Sequence, residues 1–405
     1  MKKNKNGISI IGTIILIIYI MVVIVSMYYI SSIHFPFDKL KGHFHLKYPP
    51  GGSEYIAICG FLFMSGFALI SHFVIVKKLK GWKKAVAIIL VVMLFFGVIE
   101  YFLKRHVRLH PLGFNPHPYL LWVMNPRVHP ESLNSRFLRY SEFPDKKEKN
   151  EFRFLVLGDS SAYGHGVQDG ERFSDVLEEK LREKFPDKKI RVINAAVQGY
   201  SIFQGRNLYE LELKQTSPDG LIISFNNDIN FCVIKDEEGT PTKLLRPIFM
   251  LLYKSDLFLL MKKLMLSNRE QKDLDECRHR YKKGENKNKI DAGWRVPEKD
   301  IRRHYSYLIN DMKKRGKQTI IISMPQLKHE LDYTKEVLGY REIIKNIADK
   351  NGALFVDVFN EWRDDPEINK LFVDPHNDKI HPDYNGHEKI AEQLYEKIQK
   401  RRIIK

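Results

Sequence analysis

Four short stretches of this chain carry residues whose types and order suit acyl transfer. The first, Gly158-Asp159-Ser160-Ser161, closes the candidate strand Phe152–Leu157. A serine leaving the carboxyl end of a strand, with a helix starting behind it, stands among backbone N–H groups that can stabilise an oxyanion. Taken alone, Gly-Asp-Ser also fits an ordinary turn or helix cap. The second stretch ends in Gly199, in the loop after Ile190–Asn194, and the third, Asn226-Asn227-Asp228, puts side-chain amides in the loop after Leu221–Phe225. The fourth places Asp378 and His381 three apart, just before the last helix. At that spacing a carboxylate can hold one imidazole nitrogen while the other faces a hydroxyl. Together, in this order, the four predict a serine nucleophile with a His-Asp partner.

Those stretches need a scaffold that brings them to one edge. From Phe152 on, β-branched runs alternate with amphipathic patterns. Strands are expected at Phe152–Leu157, Ile190–Asn194, Leu221–Phe225, Thr319–Met324 and Ala353–Val358. Helices are expected at Ser174–Lys184, Gln204–Lys214, Pro297–Arg315, Thr334–Lys350 and Asn385–Lys400; the last shows one apolar stripe at Ile390, Ala391, Leu394 and Ile398. The alternation predicts an α/β fold, a three-layer α/β/α (flavodoxin-like) parallel sheet of about five strands. Ligands of such sheets gather at the carboxyl ends of the strands, where all four stretches fall.

On these residues the sequence from about Asn134 to the C-terminus resembles the SGNH hydrolases, also called the GDSL esterase/lipase superfamily. The resemblance implies that Ser160 is the nucleophile and that His381 and Asp378 complete a triad. It implies an oxyanion hole made by the N–H groups of Ser160 and Gly199 and the amide of Asn227, with no metal and no cofactor. There is one departure: the family pattern has glycine where this chain has Phe225, beside the oxyanion hole.

Composition and charge frame where such chemistry would take place. Of 405 residues, 44% are hydrophobic and 28% charged, which excludes a disordered or collagen-like chain. Three cysteines are too few for a disulfide-framed mini-protein. The net charge of +17 need not mean nucleic acid, because much of it flanks apolar runs. Three such runs, Ile8–Ile30, Tyr55–Val76 and Ala85–Leu103, suit transmembrane helices, and the first lacks the features of a cleaved signal peptide. Lys2, Lys3 and Lys5 precede the first run, and Lys77, Lys78, Lys80, Lys83 and Lys84 separate the second from the third. The positive-inside rule then puts the N-terminus in the cytoplasm and everything after about Lys104 outside it. The expected organisation is a membrane domain at 1–104, with helices at about 8–30, 55–76 and 85–103. A connector at 105–150 and a hydrolase domain at 151–405 follow, the latter with an insertion at about 232–296.

The remaining candidates have plainer readings. Glu100 sits one turn from Lys104, which favours an ion pair over a functional intramembrane carboxylate. The histidines at 106, 110, 117 and 129 are loosely spaced for a metal, and Asp374 and His376 give only a weak metallophosphoesterase pattern. His387 reads as structural, and Arg295 as ion-paired or solvated in preference to anion-binding. No Walker-type loop is present. Cys232 and Cys277 are free to pair or not, and Leu244–Leu266 is apolar enough to lie on a membrane, cover the site, or simply pack. The expected function is a membrane-anchored, extracytoplasmic serine esterase acting on O-acyl, foremost O-acetyl, esters of envelope or extracellular glycans. The alternatives are a polysaccharide O-acyltransferase, a lipase or lysophospholipase, and a non-catalytic polysaccharide-binding module. Fluorophosphonate labelling separates the last from the others.

Overall fold

The computed structural model describes residues 45–46, 80–108, 113–128, 133–230, 236, 240–262, 293–327 and 335–404. The chain divides into two compact units, one ending at Pro111 and one running from Leu112 to Lys405. In the first, strands β1 (His45–Leu46) and β2 (Val107–Arg108) pair antiparallel, and helix α1 (Trp82–His106) contains the third apolar run. Glu100 pairs with Lys104 at 3.0 Å. The first two apolar runs, Cys59, Cys232 and Cys277 lie outside the described residues. Among the described residues no helix is long and apolar enough to cross a membrane.

The second unit opens with a hairpin, β3 (Phe114–His117) and β4 (Leu121–Met124). The stretch 105–150 is expected to be a connector that packs in part on the domain, and Tyr119, Leu120, Met124, Leu138 and Phe143 within it are buried. Pro116 and Pro118 hid the strands, because proline within a run argues against one. His117 Nδ1 accepts the N–H groups of Tyr119 and Leu120 at 3.2 and 2.9 Å, which closes the hairpin turn. Burial, the larger cause, and Arg246 lower the pKa of this ring to about 4, so it remains neutral and able to accept.

The core sheet has β5 (Glu151–Gly158), β6 (Lys189–Asn194), β7 (Gly220–Ser224), β8 (Gln318–Ile322) and β9 (Leu354–Val356), all parallel in the order β6-β5-β7-β8-β9. These are the five expected strands, with ends moved by at most two residues. Their residues are nearly all buried, as a sheet covered on both faces requires. The connecting helices are α2 (Ser160–Tyr163), α3 (Phe173–Lys184), α4 (Ile202–Leu208), α5 (Arg246–Leu252), α6 (Glu298–Lys314), α7 (Lys335–Asn351), α8 (Val358–Trp362) and α9 (Tyr384–Lys400).

The chain steps one way from β5 to β6 and the other way from β6 onward. Right-handed crossovers then put α3 on one face and α4, α6 and α7 on the other. Packing agrees: α3 lies against α9, while α6 lies against α4 and α7. The expected helix Gln204–Lys214 is broken: α4 ends at Leu208 and continues as a π turn, Tyr209–Leu213. In the insertion, α5 buries none of its seven residues, and Leu244, Ile248 and Leu251 are exposed. Phe249, Met250 and Leu252 are half-buried, so the segment packs in part and leaves one apolar face open.

A last hairpin, β10 (Phe372–Asp374) with β11 (Asp378–Pro382), precedes α9. The sequence reading placed Asp378 and His381 on a loop; they lie instead on a strand, whose pairing fixes the backbone beneath them.

Candidate active site

Register sets the level of the site. Gly158 of β5 pairs with Ser224 of β7, so the loops carrying Ser160 and Asn227 leave the sheet side by side, at the point where strand order reverses. The Asp159 N–H extends the ladder to the Ser224 carbonyl at 3.3 Å. Gly158 has no room for a side chain, since a Cβ there would come within 2.4 Å of Ala162 Cβ and 2.7 Å of Ser224 O.

Ser160 is the first residue of α2. Its neighbour Asp159 caps that helix by accepting the Ser161 N–H at 3.1 Å. The helix is only four residues long, so its macrodipole is small and the local N–H groups do the work. The second Asp159 oxygen accepts the Asn226 N–H at 2.6 Å, tying the first loop to the third. Burial pushes the Asp159 carboxyl up, and those N–H donors oppose it.

His381 meets Ser160 from β11. Its Nε2 lies 2.8 Å from Ser160 Oγ, and its Nδ1 lies 2.6 Å from Asp378 Oδ2. An ionised carboxylate can only accept, so Nδ1 carries the proton and Nε2 presents its lone pair to the serine hydroxyl. Three groups from opposite ends of the domain thus stand in a hydrogen-bonded line. Ser161, to which sequence gave no role, donates through Oγ to the Ile380 carbonyl at 2.9 Å and so pins β11 beside α2.

The loops that carry the other expected oxyanion donors adjoin the serine loop: the Val197 N–H donates to the Gly158 carbonyl at 3.1 Å, and Asn226 is bonded to Asp159 as above. Among the described residues, neither the Ser160 N–H nor the Gly199 N–H donates to a protein acceptor. Asn227 Oδ1 accepts from Asn230 Nδ2 at 3.1 Å, which leaves the Asn227 amide N–H groups for another partner. Buried Asp228 joins the third loop to the second by accepting the Ile202 N–H at 2.7 Å and facing Tyr340 Oη at 2.8 Å. Burial pushes its carboxyl up to about 7.

Phe225, the departure from the family pattern, turns out to be compensated. Its backbone is not among the positive-φ positions, so no glycine is needed for the path beside Asn227. Its ring is buried over α4, where a Cβ on Gly205 would come within 2.2 Å of the ring. The glycine that position 225 lacks is matched by a glycine that makes room at position 205.

Other candidates resolve on geometry. Arg295 is buried and bonds to Asp236 Oδ1 at 2.8 Å, Gly199 O at 2.6 Å and Gln204 Oε1 at 2.5 Å, which makes it an ion-paired brace. His387 is buried and accepts the Phe173 N–H at 3.3 Å; burial, with Arg172 next, lowers its pKa to about 3. Exposed His165, also missed from sequence, holds its ring 4.5 Å from that of His381, the two planes tilted by 51°. His165, Asp378 and His381 offer ligand atoms within 4.8 Å of one another. Two of the three already hold each other and the serine, so a metal there would have to take His381 Nε2 from Ser160. Asp374 instead binds the Asn377 side chain and the N–H groups of His376 and Asn377. His110 and His129 lie outside the described residues.

No protein-family profile and no curated protein matches the chain. Solved structures similar to it include a psychrotrophic esterase from Pseudoalteromonas sp., with 14% identity, a TM-score of 0.38 and coverage of 62% of this chain and 98% of that one. A lipase/acylhydrolase from Enterococcus faecalis matches with 13% identity, a TM-score of 0.38 and coverage of 62% and 97%. A catalytic mutant of an acetylxylan esterase from Geobacillus stearothermophilus matches with 16% identity, a TM-score of 0.38 and coverage of 61% and 94%.

Proposed function

We propose that this chain is a serine esterase of the SGNH (GDSL) type. The observation that carries the reading is the Ser160–His381–Asp378 line, with contacts of 2.8 and 2.6 Å. His381 Nε2 takes the Ser160 proton as Oγ attacks an ester carbonyl. The tetrahedral oxyanion accepts from the N–H groups of Ser160 and Gly199 and from the amide of Asn227. His381 then gives the proton to the departing alcohol, leaving an acyl-serine that water opens by the reverse sequence. Asp378 holds the ring in the productive tautomer throughout.

The substrate proposed is an O-acyl, foremost O-acetyl, ester on an envelope or extracellular glycan, with the domain outside and anchored through its N-terminal apolar runs. The lysine-flanked apolar runs support the placement, as do Val86, Ile89, Met93 and Phe96, exposed along α1 at helical spacing. A second reading, a lipase, is favoured by one observation: the exposed apolar face of α5. Long-chain esters turned over faster than short-chain ones would select it.

The test is turnover of 4-nitrophenyl acetate together with fluorophosphonate labelling, comparing the native chain with Ser160→Ala. The expected result is labelling and hydrolysis in the native chain and neither in the variant, with unchanged circular dichroism. Equal hydrolysis by both proteins would overturn the mechanism. A native serine that resists the probe would leave a binding module in its place.

A further inference from the structure

The Gly199 N–H can serve an oxyanion only while its peptide faces Ser160, and glycine does not hold it there. Residues 197–200 form a β-turn: the Tyr200 N–H reaches the Val197 carbonyl at 3.1 Å, and Gly199, third in the turn, has φ +75°. Positive φ at that position is the mark of a type II turn; type I differs by rotation of the central peptide, here Gln198–Gly199. Glycine occupies either form with little strain, so Gly199 alone leaves the direction of its own N–H undecided.

One side chain decides it. Trp122 Nε1 donates to the Gln198 carbonyl at 3.0 Å. That carbonyl and the Gly199 N–H belong to the same planar trans peptide and point in opposite directions. A hydrogen bond that holds the oxygen on one side holds the N–H on the other, and it polarises the peptide so that the N–H becomes a stronger donor. The next peptide is pinned as well, because Arg295 Nη1 donates to the Gly199 carbonyl at 2.6 Å. The indole is itself fixed: Tyr200 Oη donates to the Trp122 carbonyl at 2.6 Å, the two rings meet edge to face at 5.9 Å, and the Arg295 guanidinium sits 5.2 Å from the indole. A Cβ on residue 199 would lie 3.1 Å from Trp122 Cζ2, so indole and turn are in contact.

We propose that Trp122 is a positioning residue for the oxyanion hole, its indole N–H selecting the turn that aims the Gly199 N–H at the reacting carbonyl. The proposal deepens the esterase reading and rests on it for its kinetic part. Its structural part stands alone.

The test uses the full chain with Trp122→Phe, and with benzothienylalanine at 122, which keeps the indole shape and lacks the N–H. Gln-Gly occurs twice in the sequence, at 198–199 and 204–205. A sample labelled with carbonyl-13C glutamine and 15N glycine therefore reports only Gly199 and Gly205. The expected result is a displaced Gly199 amide resonance with Gly205 unmoved. With it, kcat for 4-nitrophenyl acetate falls about tenfold or more, part of the roughly 10²–10³ that a whole oxyanion donor supplies, while KM changes less than about twofold. General loss of packing at 122 would shift both glycines and lower the melting temperature of the phenylalanine variant without affecting the isostere. An unmoved Gly199 resonance in the isostere overturns the proposal whatever the kinetics; a displaced resonance with unchanged kcat overturns its catalytic part. Absence of ester turnover in the native chain would sink the esterase reading, and the resonance would still decide the role of Trp122 in the turn.

Discussion

Two antiparallel hairpins supply the site of this protein from outside the parallel sheet, one before its first strand and one after its last. β10–β11 delivers Asp378 and His381, whose ring nitrogens touch the carboxylate and the serine at 2.6 and 2.8 Å. β3–β4 delivers Trp122, whose indole N–H bonds to the carbonyl behind an expected oxyanion donor. The contrast separates two kinds of contribution. A group that moves a proton must have the right chemistry and leaves a recognisable residue type at a fixed spacing. A group that aims a peptide needs only one N–H in the right place, and any donor-bearing side chain can provide it.

Substitutions on the proton-moving side should cost most. His381→Ala is expected to lower kcat for a short-chain aryl ester by roughly 10⁶-fold, and Asp378→Asn by roughly 10⁴-fold, because the ring loses its tautomer but not its presence. Equal losses, measured by steady-state kinetics, would mean that Asp378 does more than orient. Next comes Asn227→Ala, where loss of one oxyanion donor predicts a fall of about 10²–10³ in kcat with KM little changed. An Asn227 variant as active as the native chain would leave the third loop without the role assigned to it.

Smaller effects test the scaffold under both hairpins. Gly205→Ala forces a methyl against the Phe225 ring, an overpacking worth about 1–3 kcal/mol by urea unfolding. Adding Phe225→Leu should recover part of it, and full additivity would show that the two positions do not share space. Least in size is a pH effect. Burial raises the Asp228 carboxyl from 3.8 to about 7, so between those values the folded state holds a proton that the unfolded chain has released. Stability then falls as pH rises through that window. Asp228→Asn, whose amide can still accept from Ile202 and donate to Tyr340 Oη, should flatten that part of the curve in thermal melts at pH 4 to 8.

The parallel sheet was legible from sequence because buried central strands are continuous apolar runs closed by glycine or polar residues, as Phe154–Gly158 and Leu221–Ser224 illustrate. The triad was legible because serine, histidine and aspartate must fall at strand ends and before a helix. The two hairpins were not. Prolines interrupt β3 and its turn, and β10 and β11 are three and five residues long with half-exposed patterns, too short for alternation to register. The clamps Asp159–Asn226, Asp228–Ile202 and Arg139–Val167, the last at 2.7 Å, join residues 67, 26 and 28 positions apart through backbone groups that every residue carries.

By itself, then, the sequence determined the order of strands and helices and which side chains have acyl-transfer chemistry, since both depend on local pattern and residue type. Only the tertiary structure decided that Ser160 and His381, 221 positions apart, come within 2.8 Å, that Phe225 finds its space over Gly205, and that an indole from an unremarked stretch holds the Gln198–Gly199 peptide. The reason is physical: a hydrogen bond or a van der Waals contact depends on distance and direction in space, and neither is encoded in the spacing of residues along the chain.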